Sequence, residues 1–231
     1  RRAAAATITW LMMIFGIAAT AGTVGAFLDP YSHALLLRIV AIVAGGAVLL
    51  TILAVLGVER GGDASSAHAE PGFVEGLKEV WAERHARNFT IFVFLSMTAY
   101  FMQELILEPY AGLVFGLTPG QSTTLSGAQN GGVFVGMLLV GIAATGLRIG
   151  SLRSWVIAGC LGSAASLAAI TFAGSAGISA GLMPGVVALG MFNGMFAVAA
   201  IGSMMALAGE GRESREGTRM GLWGAAQAIA A

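Results

Sequence analysis

The sequence predicts an all-α, polytopic membrane protein, and two observations support this fold class. The first is composition, because hydrophobic residues make up 57% of the chain and charged residues only 10%, whereas about 25% of an ordinary soluble domain is charged. The second is spacing, because apolar segments long enough to cross a bilayer recur along the chain, with most of the charge between them. A mean hydropathy of +0.83 agrees with both.

Six complete spans and the start of a seventh are predicted. A transmembrane helix needs about 20 mainly apolar residues. Segments of this kind lie at residues 3–28, 35–58, 89–107, 127–147, 155–174 and 182–208, and another begins near Met220. The chain opens on Arg1 and ends inside an apolar run at Ala231. We therefore expect it to be part of a longer polytopic protein.

The basic residues predict how the chain is oriented in the membrane. Eleven of the twelve lysines and arginines fall at the N-terminus and on alternate links, and cytoplasmic loops are the ones that carry such an excess. The links at 29–34 and 175–181 hold no basic residue. The N-terminus is therefore predicted to be cytoplasmic. The one exception, Arg38, is near enough to the outer boundary to reach it or to pair with Asp29.

One long link divides the chain into three predicted regions. Residues 1–58 form two helices that end an N-terminal bundle, residues 59–87 form a cytoplasmic linker, and residues 88–231 form an incomplete C-terminal bundle. After Pro71 the linker places its apolar side chains on one helical face and its charged side chains on the others. This pattern is typical of a helix on the membrane surface, and it fits equally well a soluble helix packed on the ends of the spans.

Three polar residues in the third span are the first candidate functional residues: Gln103, Glu104 and Glu108. Carboxylates in hydrocarbon are costly unless they face a partner, a cavity or the membrane edge. Glu104 and Glu108 are four residues apart and share one face of a helix. Proline disfavours helical conformation at the residue before it. Glu108, which precedes Pro109, therefore has a second interpretation, as the end of a helix at the outer interface. Gln103 and Glu104 are harder to explain in this way.

Three further polar residues complete the candidate site. Gln129 and Asn130 begin the following span from the same outer side, and Asn193 lies near the middle of its span. A mid-span asparagine can simply hydrogen-bond a neighbouring helix. Together with the polar residues of the third span, these side chains could surround an outer-leaflet cavity for a ligand that has polar groups on an apolar body. No histidine lies within a predicted span, and no metal site is predicted.

Small residues recur at intervals of four within the spans. The pairs are Gly112 and Gly116, Gly127 and Gly131, Gly132 and Gly136, Gly159 and Ser163, and Gly190 and Gly194. This spacing lets helix backbones approach closely in lipid, so tight packing is the simplest interpretation. A mobile interface between two helix bundles would use the same residues.

The order of the spans resembles the second half of a twelve-helix major facilitator transporter, entered at its fifth helix. The link at 146–153, GLRIGSLR, resembles the basic loop between helices eight and nine of those proteins, although it lacks that motif's acidic residue. Three stretches are more specific: QELILEPYAGLVFGLTPGQSTTLSGAQNGG at 103–132, FNGMFAVAAIGSMMALA at 192–208 and REGTRMGLWGAAQAIA at 215–230. They resemble the bacteriochlorophyll delivery family, which contains the PucC and LhaA assembly factors of purple bacteria.

This resemblance implies a protein of the bacterial inner, intracytoplasmic photosynthetic membrane that binds or delivers bacteriochlorophyll during light-harvesting complex assembly. The implied partners are lipid, bacteriochlorophyll as cargo, and light-harvesting or reaction-centre subunits, with no nucleic acid. The six polar residues named above are the candidate pigment-binding residues. Because no span holds a histidine, Gln103, Glu104 or Asn193 is expected to hydrogen-bond the pigment or to ligate its magnesium.

Three other functional classes are alternatives. In a proton-coupled secondary transporter, Glu104 would take up and release a proton, although only two carboxylates lie in the spans. A structural subunit of a photosynthetic complex would dock its glycine-rich surface against other helices. An enzyme that joins a prenyl diphosphate to a chlorophyllide would need clustered carboxylates around magnesium. The only aspartates, Asp29 and Asp63, are predicted on opposite sides of the membrane. We therefore expect no catalysis, despite a synthase label within the family.

Overall fold

The computed structural model describes residues 2–56, 78, 81–147, 149–209 and 216–230, and within these ranges it leaves the side chains of 2–10, 145–146, 205–209 and 216–220 undescribed. The described residues form seven α-helices and no β-strand: α1 (Arg2–Phe27), α2 (His33–Val55), α3 (Arg84–Phe115), α4 (Pro119–Val140), α5 (Leu152–Ser175), α6 (Leu182–Gly209) and α7 (Glu216–Ala230). A π-helical turn, Gly141–Gly146, continues α4, and a 3-10 turn, Ser179–Gly181, precedes α6. The all-α prediction is confirmed.

Five helical segments among the described residues are long and apolar enough to cross a bilayer. They are His33–Val55, Arg84–Phe115, Pro119–Ala144, Leu152–Ser175 and Ser179–Met204. The described apolar part of α1, Leu11–Phe27, is shorter. The chain is therefore an all-α polytopic membrane protein. We call the bundle end that holds the links at 28–32, 116–118 and 176–178 the short-link end, and the opposite end the long-link end.

Helix α3 is longer than the sequence predicted. It continues through Pro109 to Phe115 and ends at Gly116, whose φ of 68° provides the left-handed cap. The interpretation of Glu108 as the end of a helix is therefore wrong. The residues on both sides of the proline explain why, because Leu107 and Ala111 are buried in the apolar cluster at the short-link end. Their burial favours a continuous helix over the break that proline alone would favour.

Helix α4 begins at Pro119, eight residues earlier than predicted. The Thr118 side chain accepts a hydrogen bond from the Gln121 backbone N–H at 3.3 Å, and the Gln121 Oε1 accepts one from the Thr118 N–H at 3.0 Å. This reciprocal capping box, followed by proline at the first helical position, is a strong helix start. Gln129 and Asn130 therefore lie about three turns inside α4, and the prediction that they begin this helix is wrong.

The predicted linker at 59–87 lies mostly outside the described residues, and so does most of the predicted surface helix after Pro71. Its last four residues belong to α3, which begins at Arg84. The division into regions at 1–58, 59–87 and 88–231 stays a prediction.

Helices α4 and α6 approach each other through glycines on both sides. A Cβ atom added at Gly136 would collide with the Met191 carbonyl oxygen, and one added at Gly194 would collide with the Val133 carbonyl oxygen. The Gly132 and Gly136 pair and the Gly190 and Gly194 pair therefore act as predicted, since each lets the backbone of the other helix come into contact.

The other small-residue pairs behave differently from one another. Gly127 contacts α1, since a Cβ there would lie 2.6 Å from the Gly22 nitrogen, and Gly159 contacts α6, since a Cβ there would lie 2.8 Å from the Phe196 Cβ. In contrast, a Cβ at Gly131 would meet no heavy atom within 4 Å, so this residue is not a packing contact. The Gly112 and Gly116 pair is not a helix-packing pair either, because Gly116 is the C-cap of α3.

These contacts arrange four helices in a row. Helix α1 packs on α4, α4 packs on α6, and α6 packs on α5, while α3 packs mainly on α7. Helix α2 has no buried residue, and apolar side chains such as Leu37 and Ile42 are exposed along it. Its surface suits contact with lipid or with other apolar helices.

The α3–α7 pair is fixed at the long-link end by a buried tryptophan. Trp223 of α7 is 0% exposed, and its Nε1–H donates a hydrogen bond to the Thr90 Oγ1 of α3 at 3.1 Å. The ring of Phe89 lies edge-on to the Trp223 ring at a centroid distance of 5.1 Å. This contact joins two helices that are far apart in the sequence.

The glycine contact between α4 and α6 gives a first prediction. The substitution Gly136→Ala places a methyl group against the Met191 backbone, and such overpacking should lower the free energy of unfolding in detergent by about 1–3 kcal/mol. The matched control is Gly131→Ala on the same helix, where the added methyl group meets open space. Equal stability of the two variants in a thermal or denaturant titration would contradict the packing described here.

The tryptophan contact gives a second prediction. In a double-mutant cycle, Trp223→Phe and Thr90→Val should each destabilise the protein, with a coupling of about 1 kcal/mol from the shared hydrogen bond. The free energy of unfolding in detergent is the quantity to measure. Strictly additive effects would show that α3 and α7 are not joined at this point.

Candidate functional site

A cavity of about 300 Å³ lies between α1, α3, α4, α6 and α7, and we call it the central cavity. Most of its wall consists of methionine, isoleucine, valine, alanine and phenylalanine side chains. The polar residues that line it are Tyr100, Glu104, Asn130, Asn193 and Gln227. An apolar pocket with a few convergent polar groups is the usual form of a small-molecule site.

The packing of the helices explains why a cavity forms here. The row of α1, α4, α6 and α5 is drawn together by small residues, whereas α3 contacts that row mainly at the short-link end. That end is closed by the apolar cluster around Leu107, Leu125 and Leu189. Towards the long-link end, the Phe92 ring packs edge-on to the Phe196 ring at a centroid distance of 6.0 Å. The central cavity is the space left between α3 and this row, and it continues beyond the level of Phe196 as far as Met204.

Three of the predicted site residues reach the central cavity at one level. Glu104 lies eleven residues before the end of α3, and Asn130 and Asn193 lie eleven residues after the starts of α4 and α6. At 1.5 Å per residue, each is about 17 Å from the short-link end of its helix. This distance is close to half of a hydrocarbon core of about 30 Å. The three side chains therefore form a polar level about halfway along the apolar helices.

Asn193 is the most deeply buried of these residues, with 6% of its surface exposed. The Ser163 Oγ of α5 donates a hydrogen bond to the Asn193 Oδ1 at 2.8 Å, while the Asn193 Nδ2 is buried without a partner in the described residues. In Asn130 the amide nitrogen is the paired atom, because its Nδ2 donates to the Ser126 carbonyl oxygen at 3.0 Å. At this level, the amide of α6 therefore has an unpaired nitrogen, whereas the amide nitrogen of α4 is already paired.

Glu104 lies where the central cavity meets the outer face of the bundle. It is an exposed residue, and it also lines an open groove of about 570 Å³ together with Phe101, Leu105, Glu108 and Pro109. Phe101 and Glu104 line both spaces. The Glu104 carboxylate is therefore accessible from the apolar interior and from the surface of α3.

The other three predicted residues lie outside the central cavity. Glu108 lines only the groove, and its Oε1 accepts a hydrogen bond from the Ser122 Oγ at 3.0 Å. Gln129 is 6% exposed and lies at the α4–α6 contact, where its backbone carbonyl oxygen faces Gly190. Gln103 has a buried Nε2 without a partner in the described residues, but it lines neither space.

The structure adds residues that sequence reasoning did not select. Tyr100 and Gln227 line the central cavity, and Ser163 bonds to Asn193. A signal existed for Tyr100, which precedes Glu104 by four residues and so shares its helix face. Ser163 was noted only as a small packing residue, because its partner is 30 positions away.

The chemistry available at this level is hydrogen bonding and ligation by oxygen. Across the described ranges, no group of three His, Cys, Asp or Glu side chains is placed to hold a metal ion. The central cavity offers one carboxylate, three amides and a phenol within an apolar wall. Such a site suits an amphiphilic ligand with a few polar atoms.

Comparisons with known proteins address the family. A family model described as PUCC protein matches residues 1–231. The bacteriochlorophyll synthase 44.5 kDa chain of Rhodobacter capsulatus is 70% identical over 232 residues, which cover 100% of this chain and 54% of that protein. Protein PucC of Cereibacter sphaeroides is 28% identical over 90% of this chain and 44% of its own length. This chain therefore spans about half the length of these relatives.

No solved structure matches it, so the resemblance to major facilitator transporters stays a prediction. The match over its whole length shows that this chain belongs to the PUCC protein family.

Proposed function

We propose that this chain is part of a photosynthetic membrane protein that binds bacteriochlorophyll and hands it over during light-harvesting complex assembly. Membership of the PUCC family supports the photosynthetic context, and the name of one relative refers to bacteriochlorophyll. The observation that carries the proposal is the central cavity, in which Glu104, Asn130 and Asn193 converge at one depth within an apolar wall.

The character of the cavity fits the chemistry of the pigment. A bacteriochlorophyll has an apolar macrocycle and an isoprenoid tail, and its polar atoms are carbonyl oxygens and a magnesium ion. The apolar wall accepts the hydrocarbon part, and the methionines in it adapt to irregular shapes. The polar level supplies the few directed contacts that fix the orientation of a ligand.

The size of the cavity implies that a pigment occupies more than one space. A volume of about 300 Å³ is at the lower end of the roughly 300–1,000 Å³ that is typical of ligand pockets. We therefore propose that one part of the pigment enters the central cavity and that the rest passes Glu104 into the groove beside Leu105 and Pro109. A ligand held in this way stays in contact with lipid, which suits both uptake and release.

Glu104 is the residue that we propose to interact with the pigment magnesium, directly or through water. Magnesium prefers oxygen ligands, and this carboxylate is accessible from the cavity and from the groove. The Asn193 Oδ1 already accepts a hydrogen bond from Ser163, and no histidine of the described ranges lines either space.

We propose that the chain is not itself an enzyme. Prenyl transfer to a chlorophyllide needs carboxylates grouped around magnesium at a diphosphate, and Glu104 is the single carboxylate that lines the central cavity in the described residues. The word synthase belongs to the name of the relative.

The proposed setting follows from the charges and from the exposed apolar surface. We propose that the protein spans the bacterial inner, intracytoplasmic photosynthetic membrane with the N-terminus of this chain in the cytoplasm. Exposed apolar helices such as α2 would contact lipid and the helices of light-harvesting or reaction-centre subunits. We propose no nucleic-acid partner.

A proton-coupled transporter is the second candidate, and one observation favours it. Glu104 is a carboxylate at mid-depth in a space bounded by α1 on one side and α3 on the other, and these helices belong to the two predicted bundles. Secondary transporters bind substrate and coupling ion near the bilayer midplane between such repeats. A pigment carrier purifies with near-infrared absorbance, whereas a transporter of colourless metabolites does not.

A third prediction tests pigment binding at the polar level. The full-length protein with Glu104→Ala and Asn193→Ala should retain much less bacteriochlorophyll per polypeptide than the wild type, because the loss of two directed contacts of about 1 kcal/mol each weakens binding about thirtyfold. The measurement is near-infrared absorbance of the purified protein relative to its concentration.

The matched control is Thr98→Ala. This hydroxyl lies on the same helix, lines neither the central cavity nor the groove, and donates to the Phe94 carbonyl oxygen of its own helix at 2.9 Å, so its removal should leave most of the pigment bound. Wild-type pigment content in the double variant would contradict the proposed site. A wild-type protein without pigment would favour the transporter.

A further inference from the structure

We propose that Asn193 and Ser163 together form a donor site for a carbonyl oxygen of the bound ligand. The Asn193 Nδ2–H₂ group would donate to the carbonyl, and Ser163 would be the positioning residue that orients the amide. This inference rests on the proposed function and names one of its contacts.

The Asn193 side chain keeps a buried hydrogen-bond donor unpaired beside the cavity. Asn193 is 6% exposed, lines the central cavity, and has a buried Nδ2 with no hydrogen-bond partner in the described residues. A buried donor without a partner costs about 1–3 kcal/mol, and native proteins keep few of them. A ligand acceptor in the cavity would remove this cost.

The Ser163 hydroxyl orients the Asn193 amide. The Ser163 Oγ donates to the Asn193 Oδ1 at 2.8 Å, so the amide oxygen is directed at α5, and the unpaired atom of this cavity-lining side chain is its nitrogen. This arrangement requires α5 to lie very close to α6. Gly159 permits that approach, since a Cβ there would lie 2.8 Å from the Phe196 Cβ. The packing of these two helices therefore determines which polar atom the ligand meets.

The donors and acceptors at this level define the chemistry of the ligand. The Asn130 Nδ2 is already bonded to the Ser126 carbonyl oxygen, and an ionised Glu104 can only accept hydrogen bonds. Among the buried side-chain atoms of the described residues that line this cavity, the Asn193 nitrogen is the one without a partner. Carbonyl oxygens are the acceptors that a largely apolar macrocycle with an ester-linked tail carries, so a keto, acetyl or ester group is the ligand class that fits.

A fourth prediction tests this contact with bacteriochlorophyll a as the probe. The full-length protein is compared with its Asn193→Leu and Ser163→Ala variants by resonance Raman spectroscopy of the pigment carbonyl stretches and by pigment titration. In Asn193→Leu, one carbonyl stretch should move to the higher frequency of a free carbonyl, and affinity should fall about three- to tenfold, the value of one neutral hydrogen bond. In Ser163→Ala the same band should move or broaden, with a smaller loss of affinity.

The control is Ser166→Ala, a buried serine three residues further along α5, which should leave the carbonyl band unchanged. Thermal unfolding of the pigment-free proteins separates binding from folding. Asn193→Leu removes an unsatisfied donor but also the acceptor of the Ser163 hydroxyl, so without pigment its free energy of unfolding should stay within about 1 kcal/mol of the wild type, and it should gain less stability when pigment is added.

The outcomes distinguish this inference from the proposed function. If the wild type binds pigment and Asn193→Leu leaves every carbonyl band in place, the donor site is wrong while the proposed function stands. A pigment-free Asn193→Leu protein that is clearly less stable than the wild type would also overturn it, because the amide would then have a structural role. If the wild type binds no pigment, both proposals are wrong.

Discussion

The close contact between α4 and α6 is the constraint on which the rest of the structure depends. Gly132 and Gly136 face Gly190 and Gly194 so closely that a methyl group on either helix would meet the backbone of the other. In lipid, where apolar surface gains little from burial, this kind of backbone approach is what holds helices together. It brings Asn130 and Asn193 to the same depth, and it leaves the bulkier side chains to line the space towards α3.

The polar groups around that space are costly for a membrane protein to keep. A buried amide nitrogen without a partner and a carboxylate at mid-depth each lower stability unless something compensates for them. Groups of this kind occur at functional sites, where a ligand or a moving proton supplies the missing interaction. Packing elsewhere in the bundle, in the apolar cluster around Leu189 and at the Trp223 contact between α3 and α7, offsets that cost.

Much of the fold could be predicted from hydropathy, since the length of each apolar segment is fixed by the bilayer. The predicted end of α3 and the predicted start of α4 were wrong, because hydropathy alone does not locate these helix ends. Pro109 suggested a helix end that burial of Leu107 and Ala111 overrides, and the polar residues after Thr118 hid a capped helix start. Glu104 and Asn193 were selected because polar residues in apolar spans are visible in a sequence. Their common level and the bond from Ser163 depend on helix register and on contacts between distant residues, which a single sequence does not reveal.

We propose that the space between α3 and α6 at the level of Glu104, Asn130 and Asn193 holds the pigment. A cryo-electron microscopy map of the full-length protein purified with its pigment from photosynthetic membranes tests this assignment. We expect macrocycle or tail density in the central cavity, within hydrogen-bonding distance of the Asn193 amide and continuing past Glu104 into the groove. Pigment density confined to the outer surface of the bundle, with this cavity empty or filled by side chains, would contradict it.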